Sequence, residues 1–465
     1  MIYQKAQLRV YYAADRTRDA KMPSTVESPV IEAESAEKMT RLSILTSVSR
    51  LGWAFNIVVL PLFAIAIGQD EAFYGLMVAA AGYVQSAVLF PAGTFSDRAG
   101  RGKAILVGTV ASGICLFALP FTSGLWSLGV YALTGIGNGF TSTSVNSLVA
   151  DYTEKGEERT RSYGVTQAAA TLAGTVAPFL GGYILDPVAA PFLDAIAIPG
   201  VSSTLTRFAV IFFIMGSIRM LTGVYGIQTE DWLKENYEME LPDAMEEGVE
   251  LEHLEDAADN DAKTSLLFGV NSFIMGFSSG MVVPYLIPWI NKAFTTEPVI
   301  LGSVPAVSNL ILASGTLFVG FSSERIGKLR LVFLLYLLAP ILTVGLVWAP
   351  YFLLMVVFYI IRMAVANMAR PATNSLFMGE ITSRRRGRSW AVNRIMWTFP
   401  RQTGTILTSF ILSAGIFGGI VPFGELFFPI AMALYPVSVL PMYIAVKRNE
   451  RRREELLALE DNSIT

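Results

Sequence analysis

The sequence predicts an all-α, polytopic membrane protein with twelve transmembrane helices in two pseudo-symmetric six-helix bundles. Three observations carry that expectation. The composition is 53% hydrophobic and only 16% charged, with a mean hydropathy of +0.50, and apolar runs of spanning length recur from about residue 41 to residue 446. Basic residues gather in alternate loops between those runs. One loop is also written twice. Gly93, Asp97, Arg98, Gly100, Arg101 and Lys103 recur as Gly320, Glu324, Arg325, Gly327, Lys328 and Arg330, at a constant offset of 227 residues. A repeat with apolar helices on both sides implies two homologous halves.

The first half is expected to span the bilayer at 42–67, 73–95, 103–121, 125–149, 162–186 and 206–227. The second is expected to do so at 265–291, 299–321, 329–349, 351–378, 388–414 and 424–446. The domain reading is a tail at 1–40, a six-helix bundle at 41–227, an acidic linker at 228–263, a second bundle at 264–446 and a tail at 447–465. The first tail is polar, lacks the compact apolar core of a signal peptide, and reads as solvated and disordered. The linker carries Glu246, Glu247, Glu250, Glu252, Glu255, Asp256, Asp259 and Asp261, so it cannot enter lipid; Trp232–Tyr237 reads as a short amphipathic helix.

Orientation follows from the bases. One set of loops holds Arg98, Arg101 and Lys103; Lys155, Arg159 and Arg161; Arg325, Lys328 and Arg330; Arg384, Arg385, Arg386 and Arg388. The opposite loops, near Gln69, Ser123, Asp194, Trp348 and Gly418, are almost free of base, Lys292 being the exception. The positive-inside rule then puts both termini and the linker in the cytoplasm, which requires an even number of spans. A plasma-membrane location is expected.

Several function classes are excluded by residue content. The lone Cys115 lies in an apolar run and the lone His253 in the linker, so neither a thiolate metal site nor a Ser/His/Asp set is available. No phosphate-binding loop of Walker spacing occurs, which excludes direct driving by ATP. The net charge of −3 gives no case for nucleic acid. No enzyme, cofactor or metal is expected.

The repeat continues past its first motif. Arg161-Ser-Tyr-Gly-Val165 meets Arg388-Ser-Trp-Ala-Val392, and Gly75 meets Gly302, at the same offset. Gly135 maps onto Arg362, and Gly174 onto Arg401. The pattern Gly-x-x-x-Asp-Arg-x-Gly-Arg-x-Lys at Gly93–Lys103, with its weaker copy at Gly320–Arg330, resembles the signature of the major facilitator superfamily. The resemblance covers nearly the whole chain. It implies two bundles that rock about a site at mid-membrane, with the first, fourth, seventh and tenth helices lining the cavity. By position in such a fold, Asp97 would latch against Arg394, Arg101 would reach Asp151, and Lys328 or Arg325 would reach Glu380. Independently of the name, Gly93 permits close helix approach and Gly100 a turn with positive φ. Pro178, Gly181 and Gly182 resemble the end of a glycine–proline motif of exporter branches and mark a bendable fifth helix. Family members often carry an arginine near the position of Gly135; here the base stands in the repeat-related tenth helix, as Arg362.

Charge inside the spans is one-sided. Arg50, Arg219, Arg362, Arg370, Arg394 and Arg401 lie within them, while Asp151, Asp186, Glu380 and Glu425 lie near ends. A cation at mid-bilayer costs about 2.5–3.5 kcal/mol even on the lenient insertion scale, so each needs water, a partner or a ligand. Arg362 and Arg401 fall about 15–20 Å from helix ends. Arg394, Thr398, Arg401, Thr405 and Thr408 share one helical face beside Pro400, and Asn138, Ser142 and Asn146 form an uncharged stripe in the fourth helix. Arg219 is expected to snorkel. The substrate-contact candidates are therefore Arg362, Arg401, Asn138, Ser142, Asn56 and Asn271, with Trp53 beside them.

These readings predict a secondary or facilitative transporter of small organic solutes, exporter-like and favouring anionic or amphipathic compounds. Its partners would be the solute, the bilayer and a coupling ion, either a proton or an exchanged anion; the protein would be monomeric. An uptake carrier of the same family and a non-transporting sensor on the same fold are the alternatives.

Overall fold

The computed structural model describes residues 29–152, 157–237, 251–294, 296–381 and 386–464. The chain divides into two compact units, Met1–Arg41 and Leu42–Thr465. In the first, Arg41 pairs with Glu37 one helical turn earlier at 2.8 Å. Most of the tail reading falls on residues 1–28, outside the described residues.

The architecture is twelve helical spans. In the first half they are α1 (Pro29–Ala54, continued by Asn56–Ala66), α2 (Glu71–Ala99), α3 (Arg101–Ala118), α4 (Gly124–Asp151), α5 (Glu157–Leu185) and α6 (Thr206–Asn236). In the second they are α7 (Leu251–Val282, continued by Leu286–Phe294), α8 (Pro298–Ile326), α9 (Lys328–Val347), α10 (Phe352–Glu380), α11 (Arg386–Ser413) and α12 (Ile420–Met432, continued by Leu434–Ile464). The interruption of α7 falls at Pro284, whose ring removes a helical donor. Because successive helices run in opposite directions, the unit starts at Leu42 and finishes on one face, here the terminal face; the other is the far face.

The segment 228–236 continues α6, and 251–263 opens α7. Trp232–Tyr237 is thus the end of a membrane helix rather than a separate one; Trp232 and Tyr237 sit 5.5 Å apart, packed beside buried Leu233. Among the described residues nine helices are long and apolar enough to cross a membrane by themselves. The exceptions are α4, full of Gly, Ser, Thr and Asn, α11 with its arginines, and α8, whose apolar stretch is Pro298–Leu312. Polar helices at that depth must face protein or water.

Each half has its own core. Phe63 of α1 meets Phe212 of α6 edge to face at 5.0 Å, and in the second half buried Trp289 of α7 donates to Val421 O of α12 at 3.2 Å. The repeated loop is the same turn twice. Gly100 between α2 and α3 has φ +103°, and Gly327 between α8 and α9 has φ +87°, a region that side chains with Cβ rarely enter.

Candidate solute site and its gates

The polar face of α11 is positioned by α7. Gly276 and Gly280 of α7 leave no room for a Cβ against the Trp397 and Arg401 carbonyls, and Gly404 of α11 none against Phe277 O. Helices this close are held by dispersion contacts and interhelical hydrogen bonds. Thr405 Oγ1 donates to Gly280 O at 2.9 Å, and Thr408 Oγ1 to Met281 O at 3.1 Å. All three threonines of the expected stripe are buried; Thr405 and Thr408 stitch the two helices together, while Thr398 Oγ1 donates to Arg394 O of its own helix at 2.9 Å. What stays accessible is a stack: the guanidiniums of Arg394 and Arg401 lie 5.2 and 5.4 Å from the Trp397 ring. The ring quadrupole attracts both cations. Arg401 is half-buried and twelve residues from the far-face end of α11 at Ser413, about 18 Å along the axis.

The first half presents a second set. Arg50 of α1 lies over Trp53 at 5.1 Å, its stem packed at Gly174 of α5. Asn138 of α4 is half-buried and accepts, through Oδ1, a 2.6 Å bond from Arg219 Nη2 of α6. Arg219 does not snorkel. It is 4% exposed, with its stem against Gly52 of α1. Helix counting put it two turns from the water, but its side chain turns inward because Gly52 leaves space and Asn138 supplies an acceptor. Ser142 Oγ donates to Gly139 O at 3.4 Å. Asn56 is half-buried and its Oδ1 has no protein partner. Gly135 lies directly against the Ala81 carbonyl of α2, so no arginine fits there.

Two candidates lie elsewhere. Arg362 is 1% exposed, and its Nη1 and Nη2 each sit 3.0 Å from a sulfur, of Met363 and of Met432 in α12. Asn271 is also buried and donates to Ser438 O at 2.7 Å and Ser438 Oγ at 3.1 Å in α12. Both side chains point into the interior of the second half, and neither meets an open surface here. The Arg370 side chain lies outside the described residues.

The halves meet along two seams that obey the repeat. At one, Gly75 of α2 packs on Ser409 of α11 and on Tyr285, whose hydroxyl donates to Thr405 O at 2.7 Å. At the other, Gly302 of α8 packs on Gly182 and Pro178 of α5. Gly75 and Gly302 are repeat mates, and so are Gly182 and Ser409. One level deeper, Gly82 abuts Gln402, while its mate Asn309 donates to Gly174 O at 3.5 Å. Tyr83 and Thr403 share a 2.8 Å hydrogen bond, and Lys292 reaches Glu71 at 3.4 Å. Among the described residues, these contacts between halves run from the far face to mid-helix. Pro178 and Gly182 thus sit in a seam, while Gly181 packs on Val59 and Phe55 of α1.

On the terminal face the repeated loop of the first half builds a charge cluster. Arg101 Nε donates to Asp151 Oδ2 at 2.8 Å, and its Nη1 binds Asp97 and Ser96. Asp97 is therefore engaged inside its own half here. Glu230 of α6 accepts from the backbone N–H groups of Arg101 and Gly102 at 2.9 and 2.7 Å and pairs with Lys234 at 2.9 Å. A carboxylate on free N–H groups at a helix start is favoured by geometry and dipole together. The long separation in sequence hid Glu230. Gly93 faces Thr143 of α4 and Arg98 is exposed. In the second half, Glu380 Oε2 accepts from Asn449 Nδ2 at 2.8 Å; the side chains of Glu324, Arg325 and Lys328 lie outside the described residues.

The comparisons with known proteins agree with this architecture. The family model described as Major Facilitator Superfamily matches residues 42–236. A probable vesicular acetylcholine transporter-B of Danio rerio is 30% identical over 114 residues, 24% of this chain; the match spans only 23% of that relative's length. A bacterial homolog to the human lysosomal transporter Spinster, in an inward-facing and occupied conformation, superposes with a TM-score of 0.65 at 16% identity, covering 90% of this chain and 97% of that one. The major facilitator transporter FucP, in its outward conformation, gives 0.58 at 15% identity, covering 86% and 97%. These findings identify residues 42–236 as a match to the Major Facilitator Superfamily and show the fold of major facilitator transporters across the chain, in keeping with the repeated loop motif and the twelve spans in two related halves.

Proposed function

We propose that this protein is a secondary transporter that carries a small organic anion across the plasma membrane by alternating access, as an exchanger or uniporter. The observation that carries the reading is the Arg394–Trp397–Arg401 stack on α11: two guanidiniums gathered on one ring, with Arg401 near mid-helix, make this face positive and attractive to an anion. Asp and Glu occur only near the ends of the spans, which supports exchange or uniport over proton coupling through a mid-span carboxylate. In this reading the terminal face is cytoplasmic by its basic loops. The far-face seams are the closed gate, and the site opens to the cytoplasm.

The curated relative is named for acetylcholine, a cation. This chain favours the opposite charge, since Trp53 and Trp397, which would suit a quaternary ammonium, are already covered by guanidiniums. Purified protein in liposomes loaded with organic carboxylates, with acetylcholine and choline as the cationic arm, separates the two. Carboxylate counterflow that Arg401→Gln abolishes, in protein that still folds, is expected. Acetylcholine flux untouched by that change would overturn the reading.

A further inference from the structure

We propose that Arg219 is a positioning residue for solute specificity: it fixes the amide of Asn138 so that the first half offers the solute a hydrogen-bond donor and no acceptor. The inference rests on the mid-membrane solute site proposed above and deepens it.

The chemistry leaves one orientation. A guanidinium carries five donors and no acceptor, so the 2.6 Å contact from Arg219 Nη2 requires the Asn138 oxygen, not its nitrogen. Arg219 holds that oxygen firmly. Its side chain is buried, its Nε has no partner, and its stem is wedged at Gly52, with Cγ and Cδ within 3.6 Å of where a Cβ would stand. Releasing the oxygen would leave a buried cation without its acceptor, the costly outcome for any buried charge.

The Asn138 NH2 group is then turned away from Arg219. Asn138 is half-buried, and its Nδ2 makes no hydrogen bond among the described residues. A donor with access at that depth of a membrane helix belongs on a wet or ligand-bearing surface. One turn further along α4, the Ser142 hydroxyl spends its proton on Gly139 O, so its position is set by the helix itself. In the second half, Arg401 offers donors alone. A solute bridging α4 and α11 must therefore supply acceptors to both: a carboxylate or another oxyanion.

Asn138→Asp tests this most cleanly. The carboxylate keeps the bond to Arg219, now as an ion pair, so the fold is retained, but the donor is replaced by an acceptor. The KM for the transported carboxylate should rise about tenfold or more, the loss of one hydrogen bond to a charged group, with thermal stability unchanged or higher. Arg219→Lys, whose ammonium likewise donates and cannot accept, should keep more of the wild-type preference than Arg219→Met, which should raise KM with little change in kcat. An unchanged KM in Asn138→Asp, while Arg401→Gln still abolishes flux, would overturn this inference and leave the solute site standing. If neither change moves transport, the site itself is wrong.

Discussion

Glu230 shows how much one side chain can organise. Its two carboxylate oxygens close the start of α3, and the backbone fits against it because residues 100 and 102 are glycine: a Cβ on Gly102 would lie 2.8 Å from both Glu230 Oε2 and the Ile227 backbone. Glu230→Gln keeps the shape but loses the charge-assisted bonds to backbone donors. It should lower stability by roughly 1–2 kcal/mol, read as a lower unfolding temperature in detergent. Gly102→Ala should cost at least as much, because the obstacle includes backbone. The repeat made Gly100 and Arg101 legible, and the acid at Asp151 followed from its helix end. Glu230 was not legible, because it lies outside the repeated loop and meets it only through the packing of α6 on α3. Arg219 was misread for a related reason: depth along a helix can be counted from sequence, but the direction of a side chain depends on Gly52 and Asn138, on two other helices.

At the scale of helices, the symmetry of the seams is the main result. Gly75 against Ser409 and Gly302 against Gly182 are one contact made twice, once on each side of the pseudo-twofold axis. Small residues let the backbones meet, so a bulky side chain there must prop the seam open. Gly302→Leu should move the population away from the far-face-closed state. Cysteines placed at Glu71 and Lys292, whose side-chain tips meet at 3.4 Å across the other seam, should then be bridged by a short bifunctional thiol reagent several-fold less than in the parent background. Equal cross-linking would show that the seams close independently. Span number was readable from apolar runs together with the parity of the basic loops. It was readable even for α4 and α11, whose low hydropathy reflects burial against protein. The threonines of α11 were placed on the right face, but their partners on α7 required the glycines of that helix to be seen packed.

Among the described residues the two halves touch from mid-helix to the far face, with Asp97 bound within its own half by Arg101. In an alternating-access cycle, the opposite state would bring the terminal-face loops together and free Asp97 to change partner. Asp97→Asn should therefore slow turnover more than it raises KM, as measured by counterflow. A large rise in KM at equal turnover would contradict a latch. The broken symmetry of the repeat, Gly174 answered by Arg401 and Gly135 by Arg362, marks where the halves differ in charge. Of those two arginines only Arg401 reaches a partly open surface.

The claim that the α11 arginine stack binds an anionic solute is tested most directly by counterflow of organic carboxylates in liposomes, comparing wild-type protein with Arg401→Gln. The account predicts saturable carboxylate exchange in the wild type, competed by other oxyanions and not by acetylcholine, and its loss in the folded variant. Carboxylate exchange with the same KM and turnover in Arg401→Gln would contradict it.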